Sequence, residues 1–407
     1  MLSENCLKIA VRKFDAFENV LQTHWDNYVT ETGCDWELEA VPMDLTTLYD
    51  SMFTQRGMQN GSWDIGLVNT DWIAGAREKG ALLDIAPFIA AAPPEDYPDG
   101  WHGAMLHFQT YGDEVYGLPF HDGPECFIYR KDLFADDKEQ KAYLERFGEP
   151  LRVPQTWEEF VQVARFFHRP GDNLYGTVFA AFPDRHNNVF DFSIQLWSRG
   201  GELVRDSKVL LNTAEAKDSL EFYRALLNDS SAVHPQCKEM DSIASGAAFA
   251  RGEVAMMANW FGFATMCETI EGSMVQGKVG ISNLPHLPGA EPFSLNVYYT
   301  WSIGAGSKHK ELAYDFIRFC TAKKSDRLLP LLGAVGCRRS TWEDEEVNRI
   351  IPYYGELENL HHYAKTFPKI PQWHYVTEVI DELMVEVVNT TRSVQEILDE
   401  AQKKLDN

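Results

Sequence analysis

The chain has 407 residues, which is more than one hydrophobic core usually supports, so we expect two or more domains. Its composition, 44% hydrophobic and 24% charged, is that of a globular protein. The sequence contains no apolar run of about 18 residues, which is the length that a membrane-spanning helix needs. The formal net charge of -24 makes nucleic acid and anionic membranes unfavourable partners, because both are negatively charged.

The first hundred residues alternate short apolar runs with segments of helical spacing. The pattern predicts strands at 7–11, 36–41 and 63–68, with helices at 16–32 and 45–58 between them. Gly33 follows the first helix, where a glycine commonly ends one. Strands that alternate with helices are typical of a parallel, doubly wound sheet, so this part of the chain is predicted to be one α/β lobe.

The middle of the chain reads as mostly helical, and the last third repeats the order of sheet and helix. Thr156 and Glu159 have the spacing of a capping box at the start of a helix. The predicted helices here are 157–167, 192–199 and 213–228, then strands at 279–284 and 297–303, a helix at 311–321 and a helical tail at 376–405. A chain that leaves one lobe, builds another and returns is suited to hinged closure.

Cysteine and histidine patterns give no support for a metal site or a cofactor. The seven cysteines are widely spaced with no CxxC pair, so we expect most of them to be small buried apolar residues. His361 and His362 are adjacent and would point apart on a helix, which argues against a metal site with His374. P-loop, HExxH, nucleophile-elbow and dinucleotide motifs are missing from the sequence, so no cofactor is predicted.

A series of short blocks along nearly the whole chain resembles one family. They include WDIGLV at 63–68, GLPF at 117–120, IYRKDLF at 128–134, PQTWEEF at 154–160 and GEVAM at 252–256. In number and order these blocks are similar to those of the type-1 extracellular solute-binding proteins. That family includes the sugar-binding components of ABC importers, such as the maltodextrin-binding proteins.

The resemblance implies a two-lobed α/β clamshell of the type II periplasmic-binding-protein class, with each lobe a sheet flanked by helices. The first lobe would comprise residues 1–118 and 280–328, and the second 119–279 and 329–407. It further implies a monomer that captures a carbohydrate between the lobes, closes on it and delivers it to an ABC transporter permease. The first eleven residues lack the basic and apolar regions of a signal peptide, so we expect a mature periplasmic or lipid-tethered extracellular form.

The same resemblance, carried over position by position, predicts a set of solute-binding residues at strand ends and crossing segments. They are Lys13, Phe14, Asp15, Asp71, Trp72, His121, Asp122, Asn187, Asn188, Asn259, Trp260, Phe261, Asn296, Tyr298, Tyr299, Arg338, Trp373 and His374. Carboxylates, amides and arginine can hydrogen-bond sugar hydroxyls, and aromatic faces suit the C–H patches of a sugar ring.

Several of these residues have an alternative structural reading. Asp71 could cap the following helix while Trp72 packs against it. His121 and Asp122 could serve only as hinge structure, Trp260 could lie in a core, and Arg338 could pair with the acidic surface or hold an acidic ligand. Two other functions stay open, a glycosidase with two facing carboxylates and a chemoreceptor-linked sugar sensor.

Overall fold

The computed structural model describes residues 5–206 and 208–406, which form two compact units. Unit 1 contains the described residues up to Gly123, then Val297–Glu358 and Phe367–His374. Unit 2 contains Pro124–Asn296, Asn359–Thr366 and the described residues from Tyr375 onward. The chain therefore passes between the units several times, as the alternation of sheet-rich and helix-rich segments indicates.

The strands are short and are numbered here in chain order. They are β1 (Cys6–Arg12), β2 (Glu37–Met43), β3 (Ile65–Asn69), β4 (Thr110–Tyr111), β5 (Glu114–Val115), β6 (Leu118–His121), β7 (Glu125–Arg130), β8 (Tyr175–Val178), β9 (Val204–Arg205), β10 (Lys208–Val209), β11 (Val254–Trp260), β12 (Val279–Ser282), β13 (Ser294–Leu295), β14 (Tyr299–Ile303) and β15 (Ala364–Lys365).

Helices occupy much of the remaining chain. The longer ones are Asp15–Thr32, Asp137–Phe147, Trp157–Phe167, Asn187–Ser198, Ala214–Leu227, Ser242–Ala250, Phe261–Thr269, Lys310–Cys320, Trp373–Asn389 and Val394–Asp406. Shorter helices are Leu45–Tyr49, Gly57–Asn60, Ile73–Glu78, Ala86–Ala91, Ala104–His107, Lys131–Ala135, Lys323–Asp326, Leu328–Leu331, Arg339–Trp342, Glu345–Ile350 and Leu357–His362. Among the described residues, none of the helices combines the length and apolar character needed to cross a bilayer.

Unit 1 is built on a five-stranded sheet in the order β2-β1-β3-β14-β6. Strand β1 pairs in parallel with β2 and β3, and β14 pairs antiparallel with both β3 and β6. Strand β6 therefore runs in the same direction as β1 and β3. The helix Asp15–Thr32 covers this sheet with Phe17, Val20 and Trp25 buried, and it ends at Gly33, whose positive φ of 71° suits a residue without a side chain.

Two predicted helices are interrupted in the structure. The segment predicted as one helix at 45–58 is split by the π-helical turn Asp50–Thr54 and by Arg56 at a φ of 62°. This break lets Gly57 approach the carbonyl of Ser51, where an added Cβ would lie 2.5 Å from the oxygen. The tail breaks after Asn389, where Arg392 pairs with Glu386 and with a carboxylate of the following helix.

Unit 2 contains a six-stranded sheet in the order β15-β13-β7-β11-β8, with β12 also paired to β7. Strand β11 is antiparallel to β7 and parallel to β8. The helix Trp157–Phe167 packs on this sheet and begins with the predicted capping box of Thr156 and Glu159. Contact is so close that a Cβ at Gly176 would lie 1.9 Å from the Ala164 carbonyl oxygen.

The two units differ from the predicted lobe boundaries in four places, and two of these are residues 119–123 and 367–374, which were expected in the second lobe but belong to unit 1. Residues 280–296, expected to return to the first lobe, belong to unit 2 because β12 and β13 both pair with β7. Residues 329–358, expected in the second lobe, belong to unit 1. There Asp326 accepts the N–H groups of Cys337 and Arg338 and the hydroxyl of Thr341, and so fixes that segment.

Candidate functional site

One edge of the unit 1 sheet collects most of the residues predicted for the first lobe. Strands β1, β3 and β6 end at this edge, and the antiparallel strand β14 begins there. The register places Tyr299 opposite Asn69 of β3 and opposite His121 of β6. Ligands of α/β proteins generally bind beyond the carboxyl ends of the strands, so this edge is the place to look for a site.

Asp71 and Trp72 lie in the turn Thr70–Trp72, directly after β3. The cap of this turn is Asn69, whose side chain accepts the N–H of Asp71, so the Asp71 carboxyl is not needed as a cap. Asp71 is only 8% exposed. Trp72 is buried as well, with its ring 5.2 Å from the ring of Tyr49 in an edge-on arrangement.

Burial changes the chemistry of Asp71. Desolvation raises the pKa of its carboxyl from 3.8 to about 7, and the indole N–H of Trp373 acts in the opposite direction. The Trp373 side chain is therefore close, although it does not meet hydrogen-bond geometry. Among the described residues, neither Asp71 Oδ1 nor Trp373 Nε1 has a hydrogen-bond partner, and both atoms are buried.

The segment Phe367–His374 brings two more predicted residues into the same place. Trp373 approaches Asp71, and the His374 ring stacks on Tyr49 with a centroid distance of 3.8 Å. Residues about 300 positions apart in sequence are thus assembled within unit 1. Asp71, Trp72, Trp373 and His374, together with Tyr49, are called the Asp71 cluster below.

Tyr49 was not predicted as a site residue. It lies within the apolar pattern at 45–58, where helical spacing gave no reason to separate it from a core residue. Its position next to Trp72 and His374 depends on the tertiary structure, so the sequence alone carried no signal for it.

A second aromatic group at this edge contains three predicted residues. Phe14, His121 and Tyr299 surround Phe17, with ring centroids 5.1, 4.6 and 5.7 Å from it. Desolvation lowers the pKa of His121 to about 4, so the ring is neutral at physiological pH. Its Nδ1 accepts the N–H of Val335, which leaves the proton on Nε2.

The corresponding edge of the unit 2 sheet holds another part of the predicted set. Strand β11 ends at Trp260, which is paired with Glu125, the first residue of β7. Leu295 of β13 is also paired with Glu125, and Asn296 follows directly. Trp260, Glu125 and Asn296 therefore lie at one edge, where Trp260 is half-buried and edge-on to Phe190 at 5.0 Å.

A model of the family described as "Bacterial extracellular solute-binding protein" matches residues 18–326, well over half of the chain. The chain belongs to this family. A curated relative from Deinococcus radiodurans, described as a probable ABC transporter-binding protein, is 22% identical over 339 residues, covering 82% of this chain and 76% of that protein.

Solved structures share the fold of this solute-binding protein. The ribitol complex of an ABC transporter solute-binding protein from Agrobacterium radiobacter K84 has a TM-score of 0.86 at 24% identity, covering 99% of this chain and 98% of the other. The maltose-bound MalE3 protein of T. maritima has a TM-score of 0.85 at 20% identity, covering 98% and 99%. These similarities confirm the predicted two-lobed α/β class.

Other predicted residues of the solute-binding protein face the interior of unit 1. The hydroxyl of Tyr298 donates to Gln109 Oε1 over 2.6 Å, and its side chain is buried. Arg338 is 0% exposed, donates to the carbonyl oxygens of Thr321 and Glu95, and lies over the Trp101 ring at 4.3 Å. Arg338 also lies 3.7 Å from the exposed carboxylate of Asp96, in line with the alternative that it pairs with the acidic surface, and a role in holding a solute stays a prediction.

Lys13 and Asp122 are held by backbone hydrogen bonds near the same edge, and Asp15 lies close to Lys13 in sequence. The N–H of Lys13 donates to Met43 O, and the N–H of Asp122 donates to Val335 O. Lys13 and Asp15 have exposed side chains, with Asp15 in the first turn of its helix, whereas Asp122 is buried.

In unit 2, several predicted amides are used by neighbouring side chains. Asn187 Nδ2 donates to Asp184, whose pKa is raised by burial to about 6, and Asn188 Nδ2 donates to Asp381 over 2.9 Å. Asn259 donates to Ser242 O and Ser245 Oγ, and Phe261 is fully buried. The side-chain amides of these three asparagines are therefore occupied by neighbouring groups, whereas Trp260 is half-buried.

Glu125 is the residue at this edge that the sequence did not single out. It is 5% exposed, and burial together with the nearby charge of Asp191 raises the pKa of its carboxyl well above the ordinary value. The hydroxyl of Tyr223 donates to Asp191, whose own pKa is raised to about 7, mainly by burial. Within residues 5–206 and 208–406, acidic, histidine and cysteine side chains do not group into a metal site.

Proposed function

We propose that this protein binds a neutral sugar or polyol and delivers it, chemically unchanged, to an ABC transporter permease. The observation that carries the proposal is the pair of buried atoms Asp71 Oδ1 and Trp373 Nε1. One is an acceptor and the other a donor, and they belong to neighbouring side chains. A hydroxyl group both donates and accepts, so a single solute hydroxyl can satisfy both atoms.

The relatives support this class of solute. Two structurally similar proteins were solved with ribitol and with maltose, an acyclic polyol and a disaccharide. Both present many hydroxyls, which match the polar atoms of the Asp71 cluster. The aromatic side chains beside those atoms, His374 stacked on Tyr49 among them, suit the C–H faces of such solutes.

A neutral solute fits the charges better than an acidic one. Arg338, the arginine that could have held an acidic group, is used inside unit 1. The buried titratable side chains at the two sheet edges include the carboxyls of Asp71 and Glu125 and the neutral ring of His121. An anionic solute would have to bury its charge beside Asp71, where the raised pKa of the carboxyl already reflects the cost of an ionised group.

Binding without catalysis is proposed because the family consists of solute-binding proteins. A glycosidase would need two carboxyls facing one bond, but Asp191, the carboxyl whose charge raises the pKa of Glu125, accepts a hydrogen bond from the Tyr223 hydroxyl. We further propose that the protein acts as a monomer in the periplasm, or outside the cell on a lipid tether. A sensor that docks with a chemoreceptor would use the same binding step.

A thermal-shift screen tests the proposal. Wild type is heated with ribitol, mannitol, maltose, gluconate or glucuronate, and binding is confirmed by calorimetry. We expect a neutral compound to raise the melting temperature, since ligand at 100 times its Kd adds about 2.7 kcal/mol, and to be recovered intact. A shift only with the acidic compounds, or conversion of the sugar, would contradict the proposal.

Variants assign the effect to the Asp71 cluster. Trp373→Phe removes the indole N–H and keeps an aromatic ring, and Asp71→Asn replaces the carboxyl by an amide. Each should weaken binding of the neutral compound about tenfold, the cost of roughly one hydrogen bond. Asp113→Asn, an exposed carboxyl of the same unit, is the matched control and should bind like wild type.

A further inference from the structure

The segment Phe367–His374 joins unit 1 from unit 2 and returns to it, and it carries two residues of the Asp71 cluster. Some of the contacts that define its conformation lie within the segment itself. The ring of Phe367 lies 4.8 Å from that of Trp373, and the N–H of Trp373 donates to Ile370 O. These contacts shape the segment, but they do not attach it to the rest of unit 1.

Lys369 supplies one attachment. Its ammonium group donates to the carbonyl oxygens of Thr110 and His107, the former over 3.0 Å, and lies 4.7 Å from the centre of the Tyr111 ring. Strands β4 and β5 form the hairpin that presents Tyr111. Burial lowers the pKa of Lys369, which is expected of an ammonium group taken out of water.

Gly75 supplies a second, independent attachment. A Cβ at this position would lie 2.8 Å from the carbonyl oxygen of Pro371, so the segment packs directly against the backbone of the helix Ile73–Glu78. That helix begins immediately after Trp72. The segment is therefore held at Lys369 on one side and at Gly75 on the other, with Trp373 following within a few residues.

We propose that Lys369 is a positioning residue for solute binding. It does not contact the solute. By fixing the segment to the hairpin β4–β5, it sets where the Trp373 indole N–H and the His374 ring stand relative to Asp71. The inference rests on the proposed function, because it assigns the affinity of that same site to a residue outside it.

The test compares four variants in the full chain. Lys369→Met removes the charge and keeps a stem of similar length over Tyr111, and Lys369→Arg keeps donors for the two carbonyls. Gly75→Ala disturbs the same segment from the other side. Lys308→Met, an exposed lysine of unit 1, is the matched control. Affinity for ribitol and for maltose is measured by calorimetry at 25 °C, well below unfolding.

We expect Lys369→Met and Gly75→Ala each to weaken binding at least tenfold, Lys369→Arg to stay within threefold of wild type, and Lys308→Met to be unchanged. Without solute, hydrogen exchange at 367–374 should be faster in Lys369→Met, including the Trp373 amide. Wild-type affinity and wild-type exchange in Lys369→Met and Gly75→Ala would overturn the inference. If Lys369→Met is not recovered folded, Lys369→Gln, which also removes the charge from the same position, takes its place and is judged by the same two measurements.

Failure of the proposed function would look different. Wild type would then bind neither ribitol, maltose nor another neutral compound, whereas the exchange experiment on Lys369→Met would still report whether the segment is fixed by that residue. A drop in melting temperature with unchanged affinity would mean that Lys369 is only structural, and it would also overturn the inference.

Discussion

Asp71→Asn should change how the stability of the protein depends on pH. Burial raises the pKa of the Asp71 carboxyl from 3.8 to about 7, so the folded protein holds this proton more tightly than the unfolded chain. For such a group, stability is fully present below the unfolded pKa and is lost as the pH rises through the folded pKa. The amide of the variant does not titrate, so this loss is missing from it.

The size of the effect follows from the two pKa values. A rise from 3.8 to about 7 corresponds to about 4 kcal/mol, at roughly 1.4 kcal/mol for each pKa unit. Asp71 is 8% exposed, so solvent screens its charge little. The pKa of about 7 already includes the lowering of the pKa by the Trp373 indole N–H. Relative to wild type, Asp71→Asn should therefore gain about 4 kcal/mol in unfolding free energy between about pH 4 and pH 8.

Urea unfolding followed by tryptophan fluorescence at a series of pH values measures this difference. The other buried carboxyls, such as Asp191, titrate in both proteins and cancel in the comparison. Asp113→Asn should follow the wild-type curve at every pH, because Asp113 is exposed. Two parallel curves for Asp71→Asn and wild type would refute the idea that burial holds this carboxyl in its neutral form.

Three further predictions concern other parts of the chain. Arg338→Met should lower the free energy of unfolding by about 3–5 kcal/mol in urea titrations, since it leaves buried carbonyls without their charged donor. Trp260→Ala should weaken binding of the solute found in the screen about tenfold by calorimetry, the value of roughly one aromatic contact, without loss of folding. In native protein a thiol reagent should label Cys34 first, because the other six cysteines are buried, and simultaneous labelling of all seven would contradict the structure.

Much of the fold could be predicted from local patterns. Alternation of apolar runs and helical spacing over residues 7–68 indicated the parallel strands β1, β2 and β3, because the two periodicities differ clearly. The lobe boundaries could not be placed in the same way. Whether 280–296 and 329–358 join one unit or the other depends on strand pairing and on the hydrogen bonds of Asp326, which local spacing does not report.

The candidate site was likewise predicted only in part from the sequence. Asp71, Trp72, Trp373 and His374 were predicted from the family resemblance and lie together in unit 1, although their roles in binding stay predictions. Arg338 was also predicted from the resemblance, and its hydrogen bonds to Thr321 O and Glu95 O could not be predicted because no sequence pattern connects these segments to it.

Both sheet edges place a buried carboxyl next to a tryptophan, Asp71 near Trp373 in unit 1 and Glu125 opposite Trp260 in unit 2. Burial raises the pKa of both carboxyls, which favours their neutral forms. A neutral carboxyl donates one hydrogen bond and accepts others, as a hydroxyl does, and it brings no ionic charge that would need desolvation when a solute excludes water. Below about pH 7 these two carboxyls therefore add little negative charge at the sheet edges, and the uncharged solute proposed above would find neutral hydrogen-bonding groups there.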